Sequence, residues 1–257
     1  MKLPSIRTQY IQEVLKDSPV GFWPLDDAAG FAKDWRSGTS LNPGTLNGTY
    51  TLGQPGPFAG AGAWKGDGST GYISIGTTST FVFNRNFSIE AWGYYLVDQA
   101  IITHGYPGWY LRFQNKGIEL VHSQTAVIAS GGSSPTNVWV HAVATVSSGS
   151  TATVNLYMNG KRVANTTTTQ SFTAGSWPVM IGCEGTGTAT IRAEFSQNPM
   201  SMVTLYQSEL APSRILARYN IATGKVPGTR IYSIPSGGRV LRSKILASRL
   251  IGGSHAA

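Results

Sequence analysis

A chain of 257 residues is long enough to bury a sizeable core without covalent staples. Its single cysteine, Cys183, excludes an intramolecular disulfide, and no apolar run reaches the length of a membrane span. The net charge of +8 is unevenly placed: residues 1–224 hold 14 Lys and Arg against 12 Asp and Glu, whereas residues 225–257 hold 6 and no acid. The basic character therefore belongs to the tail. Only 12% of residues are charged, and a surface this poor in charge leaves more of itself available for contact with neighbours.

The N-terminus has a basic residue but no apolar stretch behind it, so no secretory signal is expected. Residues 7–16 place Tyr10, Ile11, Val14 and Leu15 at helical spacing. Asp17-Ser18-Pro19 stops that helix, because the residue before a proline is pushed out of the helical region. Residues 20–25 form the first expected strand. From 26 to 68 the chain is rich in Gly, Asn, Thr and Pro, with short strands expected at 48–52 and 61–65.

Residues 71–75 and 87–95 alternate. In the second, Phe87, Ile89 and Ala91 face one way, and Ser88, Glu90 and Trp92 the other. Residues 109–113 and 117–121 read as a hairpin, as do 139–146 and 153–158 across Ser147-Ser148-Gly149-Ser150. Asn159-Gly160 supplies a two-residue turn into 162–164. Further strands are expected at 179–183, 188–194 and 201–206. Leu210-Ala211-Pro212-Ser213 then opens a helix that Gly224 ends, with proline where a missing N–H costs nothing. A dozen short strands separated by turns predict an all-β, two-sheet antiparallel sandwich.

Five segments in this order carry a resemblance: Asp17-Ser18-Pro19-Val20-Gly21-Phe22-Trp23-Pro24-Leu25, Phe87-Ser88-Ile89-Glu90-Ala91-Trp92, Val138-Trp139-Val140-His141-Ala142-Val143-Ala144, Asn155-Leu156-Tyr157-Met158-Asn159-Gly160 and Leu205-Tyr206-Gln207-Ser208-Glu209-Leu210-Ala211-Pro212-Ser213. They resemble the laminin-G-like, concanavalin A-like jelly-roll family over residues 10–224. The resemblance implies jelly-roll connectivity, with short helices before and after the sandwich. The division expected is a helical lead-in over 1–19, the sandwich over 20–224 and a basic C-terminal arm over 225–257. The opening also looks like that of modules in bacteriophage virion proteins, which assemble in the host cytoplasm. That implies a non-enzymatic structural component of a virion, a minor tail or tail-tip protein or a capsid decoration protein, present in many copies among other virion proteins. The rival expectation is a carbohydrate-binding module for adsorption to host-surface glycans.

No catalytic residue is expected. A glycosidase needs two carboxylates flanking the scissile bond, and Glu90, Glu119 and Glu194 each stand alone on their strands. The four histidines show no metal-ligand spacing and Cys183 has no cysteine partner, so no metal or cofactor is expected. Asp26, Asp27, Asp34 and Asp67 are loop acids of the calcium-binding type. The segment Met200-Ser201-Met202-Val203 lacks the Asp-Glu that relatives often carry before the final helix, and turn capping is the preferred role for these acids. Tyr106 and Trp109, in His104-Gly105-Tyr106-Pro107-Gly108-Trp109, are the candidates for a glycan contact, with packing as the competing role. In the arm, Arg230, Arg239, Arg242, Lys244 and Arg249 alternate with aliphatics that include Leu241, Ile245, Leu246 and Leu250. These nine are the residues expected to dock on a neighbouring subunit, aliphatic burial supplying free energy and the cations selecting an acidic groove. Nucleic acid is disfavoured, because Tyr232 is nearly the only aromatic there.

Overall fold

The structure, a computed structural model, describes residues 4–36, 41–76, 79–105, 108–123, 126–172, 178–185 and 192–225. Helix α1 (Ile6–Leu15) leads into eighteen strands: β1 (Gly21–Trp23), β2 (Phe31–Ala32), β3 (Gly44–Asn47), β4 (Tyr50–Pro55), β5 (Gly62–Gly66), β6 (Tyr72–Gly76), β7 (Phe87–Tyr95), β8 (Ala100–His104), β9 (Trp109–Gln114), β10 (Gly117–His122), β11 (Ala126–Gly131), β12 (Val138–Val146), β13 (Ala152–Met158), β14 (Lys161–Thr168), β15 (Val179–Ile181), β16 (Glu184–Gly185), β17 (Arg192–Ala193) and β18 (Met200–Tyr206). Helix α2 (Pro212–Ala222) follows.

Two antiparallel sheets face each other. Sheet A runs β14-β13-β12-β7-β18-β5-β4, with β1 also paired to β18; sheet B runs β11-β10-β9-β8-β15-β6-β3-β2. The main core lies between them. Phe87, Ile89 and Ala91 of β7 enter it from sheet A, and Trp109, Leu111 and Phe113 of β9 from sheet B. Phe83 stacks on Phe87 and on Trp109, with centroids 5.1 and 5.9 Å apart. Such aromatic pairs add about 0.5–1.5 kcal/mol each beyond their buried area.

Each helix forms where its signals predict. Ser5 caps α1 by accepting from the Thr8 N–H at 3.2 Å, and Pro212 occupies the first turn of α2. Both helices lie on the outer face of sheet A. Tyr10, Ile11 and Val14 from α1 and Ile215 from α2 join Phe22, Trp92, Val143, Tyr157 and Tyr206 in a second apolar cluster. This explains why β7 is buried on both faces although its sequence alternates.

Two expectations shift and two strands are new. The strand expected over 48–52 starts two residues later, as β4, after a turn at Gly48 that separates it from β3. There φ is +66° and a Cβ would lie 2.0 Å from the Thr70 carbonyl oxygen, so only glycine fits as the chain crosses from sheet B to sheet A. Strands β8 and β11 were not foreseen. The first is buried throughout, so it shows no alternation; the second is a half-exposed edge strand whose adjacent Val127 and Ile128 break any alternation. Of the strand expected over 188–194, Arg192–Ala193 is present as β17, and 188–191 lie outside the described residues.

Candidate functional site

On the outer face of sheet A the central group is Glu90, fully buried. Its carboxylate accepts from the Tyr10 hydroxyl at 2.9 Å, the Tyr206 hydroxyl at 3.0 Å and His141 Nε2 at 2.8 Å, and it is ion-paired with Arg218. Trp92 Nε1 donates to the Tyr10 hydroxyl at 2.9 Å, while Arg218 also reaches Asp17. Arg214 Nε donates to both Asp17 oxygens at 3.0 Å, and the same guanidinium pairs with Glu13. One helix supplies Tyr10 and Glu13, the other Arg214 and Arg218, the turn after α1 supplies Asp17, and the strands supply Glu90, Trp92, His141 and Tyr206. Burial alone would raise the Glu90 pKa; the Arg218 charge, then His141 and Tyr10, reverse this and hold it at about 2. Every oxygen is occupied and two helices cover the site, so Glu90 is a docking post for the helices rather than a reactive group.

The outer face of sheet B is built differently. Strand register lines up Ala100, Arg112, Glu119 and Ser130 across β8, β9, β10 and β11. The neighbouring row sets Met180, Thr103, Tyr110 and Val121 side by side. Arg112 Nε donates to Glu119 at 3.0 Å and Ser130 Oγ donates to the other Glu119 oxygen at 3.0 Å. Arg112 Nη1 reaches Glu194 at 3.0 Å, and the Tyr110 hydroxyl also donates to Glu194. Thus Glu194 ties the end of the β16–β17 hairpin to β9, with its own backbone at φ +47°. Gly185 lets that hairpin sit low: a Cβ there would lie 2.6 Å from Met180 Cε.

Glu184, across the hairpin from Ala193, keeps 7% of its surface and has no hydrogen-bond partner among the described residues. Burial first, and then the charge of Glu194, push its pKa to about 7 against the opposing pull of Arg112. Burial and the Glu194 charge likewise raise the Tyr110 hydroxyl. At neutral pH this face therefore presents a carboxyl poised between its two forms, beside an arginine already shared by two carboxylates.

A third feature is apolar. At β2, the last strand of sheet B, Phe31 is 47% exposed, Trp35 38% and Leu41 45%. With Lys33, Asp34, Arg36 and Pro43 they line an open groove of about 510 Å³. Asp34 fixes the backbone beneath, accepting from the N–H groups of Phe22, Arg36 and Asn42 at 3.0–3.2 Å and from Arg36 Nε at 2.8 Å. The Arg7 guanidinium lies 4.6 Å over the Trp35 ring.

The other loop acids are occupied too. Asp26 pairs with Arg7, Asp27 accepts from the Lys33 N–H, and Asp67 accepts from the N–H groups of Ser69, Thr70 and Gly71. Those backbone donors, Thr70 foremost, hold Asp67 well below the usual carboxylate range. Among the described residues no group of three or more His, Cys, Asp or Glu side chains is placed to hold a metal ion. No helix there is long and apolar enough to cross a membrane.

The glycan candidates fare differently. Trp109 is fully buried against Phe83, Phe87 and His104, so it packs the core and contacts no ligand; its place inside β9, facing the opposite sheet, decides this. Tyr106 lies outside the described residues, as do Arg230, Arg239, Leu241, Arg242, Lys244, Ile245, Leu246, Arg249 and Leu250. Sequence reasoning placed Glu119 and Glu194 alone on their strands, and the fold brings both to Arg112. It missed Tyr110, Arg112 and Glu184 altogether. The alternation of Tyr110 and Arg112 with Trp109, Leu111 and Phe113 was the available signal for the first two.

No curated protein matches the chain in sequence. Among solved structures, the binding domain of Paraclostridial Mosquitocidal Protein 1 is similar with a TM-score of 0.60 at 16% identity, over 80% of this chain and 52% of that one. The binding domain of botulinum neurotoxin serotype C1 gives 0.56 at 15%, over 81% and 53%. A Trypanosoma rangeli sialidase in complex with the inhibitor DANA gives 0.52 at 15%, over 79% and 32%. The chain thus spans about half the length of the toxin domains and a third of the sialidase, and at these identities the likeness is one of fold. The family model described as the concanavalin A-like lectin/glucanases superfamily matches residues 67–215, more than half of the chain, and the protein belongs to that superfamily.

Proposed function

We propose that this protein is a non-enzymatic structural component of a bacteriophage virion, a minor tail or tail-tip protein or a capsid decoration protein, that works through protein–protein contacts. The observation that carries this reading is the exposed apolar patch of Phe31, Trp35 and Leu41 at the open edge of sheet B. Asp34 holds the N–H groups of Phe22, Arg36 and Asn42 beneath these side chains, so they offer a formed surface at little ordering cost. The opening of the chain supports the same reading through its resemblance to virion modules. The carboxylates of Glu90, Glu119 and Glu194 are each bridged to an arginine, an arrangement that holds a fold together rather than attacking a bond. The basic arm over 225–257 docks on a neighbouring subunit. The test is co-sedimentation with particles from the natural source. The wild-type protein co-sediments, and a Phe31→Ser/Leu41→Ser variant and a deletion of residues 226–257 do not. Normal incorporation of both variants would refute the reading.

A second reading, a carbohydrate-binding module for host adsorption, is favoured by the outer face of sheet B, where Tyr110, Arg112 and Glu184 supply polar groups. The similar toxin structures are titled binding domains. A glycan screen against wild-type protein and Glu184→Gln tests it: binding lost with Glu184 supports this reading, and no binding to any glycan removes it.

A further inference from the structure

The acids of this chain are almost all accounted for. Of the twelve Asp and Glu, ten accept a hydrogen bond or an ion pair among the described residues. The two others are Glu209, which is exposed, and Glu184, which is buried. A buried carboxyl without a partner is costly to keep unless something supplies one. Among the described side chains its surroundings are electrically unbalanced: Glu119, Glu184 and Glu194 lie near one cation, Arg112, already bonded to two of them. A further cation would correct the imbalance.

The chain carries the complementary charge elsewhere. Residues 226–257 hold five Lys and Arg and no acid. As 32 residues they can span at most ~110 Å when fully extended, ample to reach another subunit. We propose that Glu184 is the receptor carboxylate for a guanidinium or ammonium side chain, and that the occupant is the basic arm of a second copy of this chain. This rests on the reading of the protein as a multi-copy structural subunit. Arg112 holds Glu119 and Glu194 in place, while Glu184 receives the incoming cation, which takes the position of the missing partner.

The contact is coupled to a proton. Glu184 sits near pH 7 when the site is empty, and pairing with a cation favours its ionised form, so docking releases a proton and tightens as pH rises. From pH 6 to pH 8 the gain is about tenfold per contact, the linkage for a single carboxyl near 7 that is ionised when bound. The groups that face Glu184 are Tyr110 and Arg112 from β9 and Glu194 beyond β17, with Glu119 of β10 linked through Arg112.

Sedimentation equilibrium of the full-length protein at pH 6 and pH 8 tests the inference. Wild type is expected to self-associate about tenfold more tightly at pH 8. Glu184→Gln, which mimics the neutral carboxyl and so keeps the fold, is expected to lose at least that factor at pH 8 and to show no pH dependence. Arg239→Gln/Arg242→Gln/Lys244→Gln in the arm is expected to weaken association too, and combining it with Glu184→Gln to add little. Three results would overturn it: a wild type that stays monomeric, a Glu184→Gln protein that associates like wild type, or arm and Glu184 effects that simply add. Particle co-sedimentation is scored separately. Self-association through Glu184 without particle binding leaves this inference standing and removes the virion reading. Particle binding that requires Glu184 from a monomeric protein assigns the cation to another protein and overturns the second-copy occupant.

Discussion

On the outer face of sheet A, Glu90 meets an arginine, a histidine and two tyrosine hydroxyls beneath two helices. On the outer face of sheet B, Arg112 pairs with Glu119 and Glu194, and Glu184 has no hydrogen-bond partner among the described residues. The two faces draw on the same residue types, and what separates them is stoichiometry. Where cations and hydroxyls saturate a buried carboxylate, its pKa falls to about 2 and the network fastens the helices to the sheet. Where they run short, the pKa climbs to about 7. Burial by itself does not tell the two apart, because Glu90 and Glu184 are both buried.

The largest test of this contrast is Arg218→Ala. Removing one partner strands the buried Glu90 charge, which typically costs about 3–5 kcal/mol; urea denaturation should show a loss of that size. A change below about 1 kcal/mol would mean that the helices are held by apolar packing alone. Trp109→Ala should lose a similar ~3–5 kcal/mol through the cavity it leaves. An unchanged midpoint with altered glycan binding would instead return Trp109 to the surface.

A smaller effect separates the faces by the sign of their pH dependence. Glu90 is depressed from the ordinary 4.5, so its contribution is present above pH 4.5 and fades as pH falls toward 2. Glu184 is raised from 4.5, so its contribution is full below pH 4.5 and is lost as pH rises through 7. Discounted for solvent screening, that loss is about 1–2 kcal/mol. Denaturation at pH 5 and pH 8 should show it in wild type and not in Glu184→Gln; equal slopes in the two proteins would place the titrating group elsewhere. Smallest is Phe31→Ser/Leu41→Ser, which should move stability by less than about 0.5 kcal/mol because both side chains are already exposed. A larger loss in the same denaturation experiment would make that patch part of the fold rather than a contact surface.

How far the sequence reached varies with the range of the interaction. Alternation in β7 separates Phe87, Ile89 and Ala91 from Ser88, Glu90 and Trp92; the first set enters the main core, while Trp92 joins the outer cluster and Glu90 bonds to its Tyr10 and Tyr206. Proline at 19 and 212 and the Asn159-Gly160 turn act within a few residues, so their effect is readable in order. Strand β8 is not readable in this way, because burial on both faces removes the alternation that marks a strand. Nor is the fate of Trp109: an aromatic flanked by Gly and Pro looks like a rim residue until the opposite sheet is set against it.

Local chemistry thus determined the strands whose residue types alternate, both helices, their stops and the superfamily. Only the tertiary structure decided which carboxylates are satisfied. Glu90 lies 80 residues from Tyr10 and 128 from Arg218, and Glu194 lies 82 from Arg112. Pairings at that separation depend on how two sheets and two helices close on one another, and the charge count around each buried carboxyl exists only after they have closed.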